Sequence, residues 1–356
     1  MIYQVEPNFD EDEKISVLKY LDSNPWLTEN KITSEFENKI SNHINRNYAV
    51  SVPNGTIAIY LSLLALGLNK NSRIAVPNLT MIATINAVLW LEATPILIDI
   101  NKELCMDIEK LKAIKNLDAV IYVPLNGRTS NGLEIQKFCK DSKIFLIEDS
   151  AHALGSKYDD KISCGKLGDL SIFSFTPHKI ISTGQGGMIM TDNKKYYQIL
   201  LNLKTFNRKK DKQDWHNGFG LNFKTTDLQS VIGLTQFKKI ENFYNKKREI
   251  YSFYKNLIKN PKVIVKNFKN FELPWFFDIE VSTSKERANL KNYLSKYGIE
   301  TRDCYPALSK QKFLKTTEKS PMEISTEIYK NLLWLPSSTK LSEKNLKLIV
   351  NTINNY

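Results

Sequence analysis

Between Ala49 and Thr191, short apolar runs alternate with longer stretches whose apolar residues return every three to four positions. Ala49-Val50-Ser51-Val52, Arg73-Ile74-Ala75-Val76, Pro95 to Asp99, Ala119 to Val123 and Ile144 to Asp149 read as strands. Thr56 to Leu68, Met81 to Leu91 and Leu133 to Cys139 read as the helices between them. Strands alternating with helices predict a mostly parallel sheet covered on both faces. Two shorter apolar runs follow, Leu170 to Phe175 and Gly187 to Thr191, and Asp227 to Leu257 then reads as one long helix. Beyond it the chain changes character. Trp275 to Val281 reads as a strand, Lys285 to Tyr297 as a helix and Leu341 to Ile353 as a closing helix. The expected fold class is α/β, with a large domain over residues 1–240 and a smaller C-terminal α+β domain over 241–356.

Composition agrees with a folded chain. Of 356 residues, 42% are hydrophobic and 25% charged, which excludes bulk disorder and gives too much chain for one ordinary core. The longest apolar stretch, Ile57 to Leu66, is too short to span a bilayer and reads as a buried helix. The opening MIYQVEPNFDEDEK is acidic and lacks a basic segment followed by an apolar one, so a soluble, cytoplasmic protein is expected. Cys105, Cys139, Cys164 and Cys304 are far apart and form no CxxC pair, and no HExxH occurs. Neither a disulfide framework nor a protein-held metal is expected.

The net charge of +12 raises the question of nucleic acid. The basic residues are spread along the chain, and the clusters Arg208-Lys209-Lys210 and Lys246-Lys247-Arg248 lack interleaved aromatics. No nucleic-acid partner is expected. A positive surface suits an anionic, phosphorylated small substrate instead.

The chemistry concentrates between Ile147 and Gly187, IEDSAHALGSKYDDKISCGKLGDLSIFSFTPHKIISTGQGG. Asp149 ends one apolar strand, and ligands of α/β sheets bind at the carboxyl ends of strands. Glu148 precedes it, and strand alternation lets only one of the two carboxylates point into a cleft. Thirty residues on, Lys179 follows the run Leu170 to Phe175 in a turn rich in Ser, Thr and Gly. A carboxylate and a lysine at successive strand ends suit pyridoxal 5′-phosphate (PLP). The amine condenses with the aldehyde, and the carboxylate pairs with the protonated pyridine nitrogen. The phosphate needs hydroxyls and backbone N–H groups, best at a helix N-terminus. Asn54-Gly55-Thr56 supplies these at the start of the helix after Val52, and Ser174 adds a hydroxyl.

The motifs SVPNGTIAIYLSLLALGL, VPNLTMIATINAVLWLEATPILIDI, IEDSAHALGS, GDLSIFSFTPHKIISTGQGGMIMTD and LNFKTTDLQSVIGLTQ occur in this order. In them, and from Asn24-Pro25-Trp26-Leu27-Thr28 to the last helix, the chain resembles the DegT–DnrJ–StrS sugar aminotransferases, which have the PLP-dependent transferase type I fold. The resemblance implies that Lys179 is the lysine bonded to PLP, Ser174 a phosphate ligand and Asp149 the pyridinium partner. His152 matches a position beside the cofactor's 3-hydroxyl, Gly55 and Thr56 match the phosphate-binding Gly-Thr, and Met81 stands where an aromatic residue usually stacks on the ring. Asn222 matches a residue that reaches the phosphate of the neighbouring subunit, which implies a homodimer with a shared active site.

The sequence departs from the family pattern elsewhere too. Gln185 stands in TGQGG where GEGG is common, Lys224 where Arg is common, and Pro177-His178 where Asn or Thr is common. His178 reaches substrate or packs, and packing is favoured. Trp215-His216 is a substrate loop or a packed turn. Arg302, in GIETRDCYP, resembles a position near substrate but is also a candidate surface ion pair. Arg128 follows Asn126-Gly127 at a strand end, where it binds a substrate anion or merely flanks a turn. One branch of the family dehydrates, with His in place of the lysine; counting from Ser174 puts Lys179 there. The resemblance therefore implies amino transfer from L-glutamate to a keto-sugar for surface polysaccharides such as the lipopolysaccharide O-antigen. The expected substrate is a nucleotide-linked 4-keto-6-deoxyhexose. An octulosonate-like keto-sugar and a catalytically inactive PLP-binding regulator are the alternatives.

Overall fold

The computed structural model describes residues 1–209, 211–314 and 318–356. Seven strands form the main sheet: β1 (Tyr48–Val52), β2 (Arg73–Pro77), β3 (Thr94–Ile98), β4 (Ala119–Tyr122), β5 (Phe145–Asp149), β6 (Leu170–Ser174) and β7 (Gly187–Thr191). Their order is β1-β7-β6-β5-β4-β2-β3. Only β7 runs against the others, through its antiparallel pairings with β1 and β6. Around the sheet lie α1 (Glu11–Asp22), α2 (Lys31–Ile44), α3 (Gly55–Ala65), α4 (Ala83–Trp90), α5 (Gly132–Ser142) and α6 (Lys194–Lys204).

Strand alternation divides the core in two. Ile74, Val76, Ile121 and Ile147 pack with the almost wholly buried α3 on one face. Ala75, Val120, Tyr122 and Leu146 pack with Ile135 and Cys139 of α5 on the other. All four cysteines are free and buried. Among the described residues no helix is long and apolar enough to cross a membrane.

Helices α1, α2 and α6 are among those that the pattern does not reveal. The caps of α1 and α6 are nonetheless local, whereas the first N–H groups of α2 are accepted by the distant Asp227. Asp10 accepts from Asp12 N–H while Glu13 accepts from Asp10 N–H, a capping box that starts α1.

The single helix expected from Asp227 to Leu257 is two helices, α7 (Asp227–Lys238) and α8 (Ile240–Leu257). They meet at Lys239, whose backbone is non-helical (φ −99°, ψ 5°). Neither Gly nor Pro marks the break. It comes from packing: α7 lies against α1 and α2, and Lys239 is held there by Asp10 and Glu13, at 2.9 and 2.5 Å. The next helix turns to the second sheet, a course one straight helix could not follow.

That second sheet contains β8 (Ile264–Val265), β9 (Phe277–Glu280), β10 (Arg302–Asp303) and β11 (Leu332–Leu335), all antiparallel, in the order β8-β9-β11-β10. Helices α9 (Ser284–Lys296) and α10 (Glu343–Asn354) cover it with α8. Periodicity does not reveal the strand β11, because Leu-Leu-Trp-Leu is apolar throughout and gives no period. The chain start, read as part of the large domain, also lies here. Ile2 pairs with Ile299, and Gln4 bonds to Leu335 and Ser337.

Candidate active site

Asp149 closes β5 and is buried. Its carboxylate accepts from the Thr84 hydroxyl (2.8 Å) on α4 and from the Ala151 N–H (3.3 Å). Burial pushes its pKa up, and Thr84, the Ala151 N–H and the charge of Lys179 pull it back. Thr84 is the residue of this group that the sequence did not single out. Nothing in its spacing distinguishes it from a core helix residue.

Lys179 sits in the irregular turn after β6. The turn is fixed by Phe175 N–H to Gly186 O (2.8 Å) and Thr183 N–H to Phe175 O (3.0 Å). It needs Gly184, at φ +79°, where an L side chain is strained. Burial lowers the Lys179 pKa to about 7; Asp149 opposes that fall and the positive charge of Arg302 adds to it. The amine therefore loses its proton near neutrality, as a nucleophile and proton carrier requires.

Trp275, whose sequence context marks only a strand start, ties the site together. Its ring stacks on His152 (centroids 3.9 Å apart), lies 4.0 Å from Lys179 Nζ, and its indole N–H donates to the His178 carbonyl (2.7 Å). His152 is buried, its Nδ1 finds no partner among the described residues, and burial with the charges of Lys179 and Arg302 pushes its pKa well down. His178 is exposed rather than packed, contrary to the favoured reading. With Arg302, Tyr305 and Lys291 it lines a cavity of about 520 Å3. Arg302 stands over the rings of Tyr305 (5.6 Å) and Trp334 (5.4 Å) and has no carboxylate partner among the described residues, so it is not an ion pair.

On the β1 and β6 side, Asn54 caps α3 by accepting from Ile57 N–H (3.0 Å). Gly55 and Thr56 N–H find no acceptor among the described residues, as the first turn of a helix dictates. A side chain at Gly55 would place Cβ 3.2 Å from Ser174 Cβ, and one at Gly187 would meet the Asn54 backbone at 2.5 Å. The two glycines thus bring hydroxyl and amide donors close together. Ser174 Oγ has only a long contact to Thr176 Oγ1 (3.4 Å), which leaves its hydrogen-bonding capacity open.

Other candidates lie elsewhere or at the rim. Met81, exposed, is one turn before Thr84, and its sulfur accepts from Ala83 N–H. Asn222 is exposed and bridged to Thr205. Trp215 and His216 lie on an exposed excursion, where His216 Nδ1 meets Phe206 O (2.7 Å). Arg208 lies over Phe206 (5.3 Å) and Lys212 over Trp215 (5.1 Å), so aromatics do accompany this basic cluster, of which Lys210 lies outside the described residues. Arg128 is not brought to Lys179. It is buried against Asp278 (2.6 Å) and Phe268 (3.9 Å), joining the two sheets.

The model of the DegT/DnrJ/EryC1/StrS aminotransferase family matches residues 7–354. The chain belongs to this family. It is 35% identical over 365 residues to GDP-perosamine synthase of Escherichia coli O157:H7, covering 100% of this chain and 98% of the relative. It is 29% identical to GDP-perosamine synthase of Vibrio cholerae, covering 100% of this chain and 99% of the relative. The fold matches Helicobacter pylori PseC, an aminotransferase of pseudoaminic acid biosynthesis, with TM-score 0.92 at 24% identity over 99% of this chain and 98% of that one. Aminotransferases of this family are PLP-dependent. The residues present fit that group: an amine of lowered pKa, a buried carboxylate, an unpartnered His152 Nδ1, and a donor cradle that a Cβ at Gly55 would crowd.

Proposed function

We propose that this protein is a PLP-dependent aminotransferase that converts a nucleotide-linked 4-keto-6-deoxyhexose to its 4-amino sugar with L-glutamate as donor. The GDP-linked sugar is favoured, because the two relatives above are both GDP-perosamine synthases. The observation that carries the reading is the placement of Lys179, its pKa lowered to about 7, within the electrostatic influence of the buried Asp149 at neighbouring strand ends.

Bound PLP supplies an electron sink for the pair left on the donor carbon when its proton is removed. Lys179 would hold the cofactor through its aldehyde, and its amine, of lowered pKa, would carry the proton of the donor's α-carbon. Asp149, fixed by Thr84, keeps a proton at the cofactor's ring nitrogen. Ser174, Gly55 and Thr56 bind the phosphate, and Asn222 reaches the phosphate of a second copy in a homodimer. His152 orients the ring through the hydrogen bond its Nδ1 lacks here, and Trp275 excludes water behind Lys179. Met81, exposed one turn before Thr84, would contact the cofactor. Arg302, an unpaired cation in the 520 Å3 cavity, takes a carboxylate of glutamate, and the exposed His178 borders the same space.

The test is the near-visible absorption of purified protein before and after L-glutamate, followed by turnover with GDP-4-keto-6-deoxymannose. A band that bleaches with glutamate and returns with the keto-sugar is expected. A protein that stays colourless with added PLP would sink the reading. A band that ignores glutamate would discard the donor.

A further inference from the structure

A second cavity, of about 1220 Å3, opens at the other end of the main sheet. Its floor is the start of β5 (Ile144, Phe145, Leu146) and Gly168 before β6. Asp149 and Lys179 follow the opposite ends of the same two strands. A five-residue strand separates the two sites by about 15 Å, so no small ligand touches both.

The cavity carries a marked charge excess. Arg46, Lys137, Lys140, Lys143, Lys166 and Lys194 line it, against the carboxylates of Asp169 and Asp192. The two carboxylates offset only part of that excess. Asp192 is paired with Arg46 and Lys166, each at 3.0 Å, and Asp169 accepts from Leu146 N–H at 2.9 Å. Lys137, Lys140, Lys143 and Lys194 have no carboxylate partner in the cavity. The first three follow one another along the end of α5, Lys143 closing it in the left-handed conformation, and Lys194 opens α6. Four like charges around one concavity repel one another and favour a multiply charged anion, and ammonium groups bind phosphate as point charges. The wall is not polar alone: Ile144, Phe145 and Tyr196 are half-buried and offer an apolar, aromatic surface. The volume exceeds the roughly 300–1,000 Å3 of ordinary small-molecule sites, more than a bare phosphate needs.

We propose that this cavity is a second binding site for a nucleoside diphosphate, distinct from the active site. The phosphates meet Lys140, Lys143 and Lys194, and the base lies against Tyr196 and Phe145. Because β5 has Phe145 in this cavity and Asp149 in the active site, the site is built on the catalytic framework without sharing a ligand with it.

The experiment titrates GDP, and separately inorganic pyrophosphate, into the PLP-loaded enzyme, and maps hydrogen exchange with each. GDP is expected to slow exchange over residues 137–146 and 193–197, apart from any protection near Gly55. Lys140→Glu with Lys143→Glu should weaken that binding about tenfold or more, as loss of two phosphate contacts implies. Lys194→Glu, from the opposite wall, should weaken it likewise. Both variants should keep the wild-type absorption spectrum and, without free nucleotide, the wild-type rate of amino transfer. GDP binding that the variants leave intact, with no protection over 137–146, would overturn the site while leaving the proposed catalysis untouched. Pyrophosphate binding as tightly as GDP would overturn the nucleoside part.

Discussion

Glu148 and Asp149 are adjacent in the chain and face opposite sides of the main sheet. Glu148 accepts from the hydroxyls of Ser150, Tyr158 and Ser171 and from the N–H groups of Gly165 and Leu167, at 2.6 to 3.2 Å. It organises the loop that leads into β6. Asp149 looks to Thr84 and the charge of Lys179.

The two positions should therefore fail differently. Glu148→Gln puts an amide among buried donors, each of which costs about 1–3 kcal/mol when left unpaired, so denaturant unfolding should show a large loss of stability. Asp149→Asn should keep the fold and lower kcat by roughly 10²–10⁴-fold, the range for a positioned proton-holding group. Equal loss of stability in both variants would refute the distinction.

Arg302→Gln removes a charge that lowers the Lys179 pKa. The pH midpoint for PLP uptake by apoenzyme should move alkaline from about 7, because the amine then holds its proton more tightly. KM for glutamate should rise about 10- to 100-fold, the equivalent of one charge-assisted hydrogen bond. An unchanged midpoint and KM would remove Arg302 from the site.

Gly55→Ala places a methyl 3.2 Å from Ser174 Cβ, tighter than ordinary contact. The neighbour must give by a few tenths of an ångström, which spoils the donor cradle more than the fold. PLP affinity measured by equilibrium dialysis should fall several-fold, while the melting temperature stays near that of wild type.

Lys247 is buried on α8, donating to the carbonyls of Trp275 (2.7 Å) and Ser337 (2.5 Å), and burial lowers its pKa to about 7. Between about 7 and 10.5 the unfolded lysine keeps a proton that the folded one has released. The unfolded state binds more protons, so stability rises with pH across that window. Lys247→Met should lose this rise, and the gap in unfolding free energy between wild type and variant should widen from pH 7 upward. Comparing the two cancels the parallel contribution of Lys179. A constant gap would show that Lys247 is charged in the folded state.

The alternating strands and helices of the main sheet can be read from the chain alone, because each strand is short, apolar and closed by a turn residue. So can Asp149, Lys179, Ser174 and Gly55-Thr56, because strand ends and a helix start are local features that put chemistry at known places. Features made by distant contacts cannot be read this way. Lys239 breaks a helix because α7 and α8 pack on different layers, not because of its own residue type. Ile2 and Gln4 join the second sheet from the far end of the chain. Trp275 joins His152, Lys179 and His178 across about a hundred residues, and its local pattern is that of any buried strand start. Arg128, promising at a strand end, is claimed by Asp278, a partner 150 positions away that no spacing rule names. Periodicity reports which face of an element is apolar; it carries no information about which distant element covers that face.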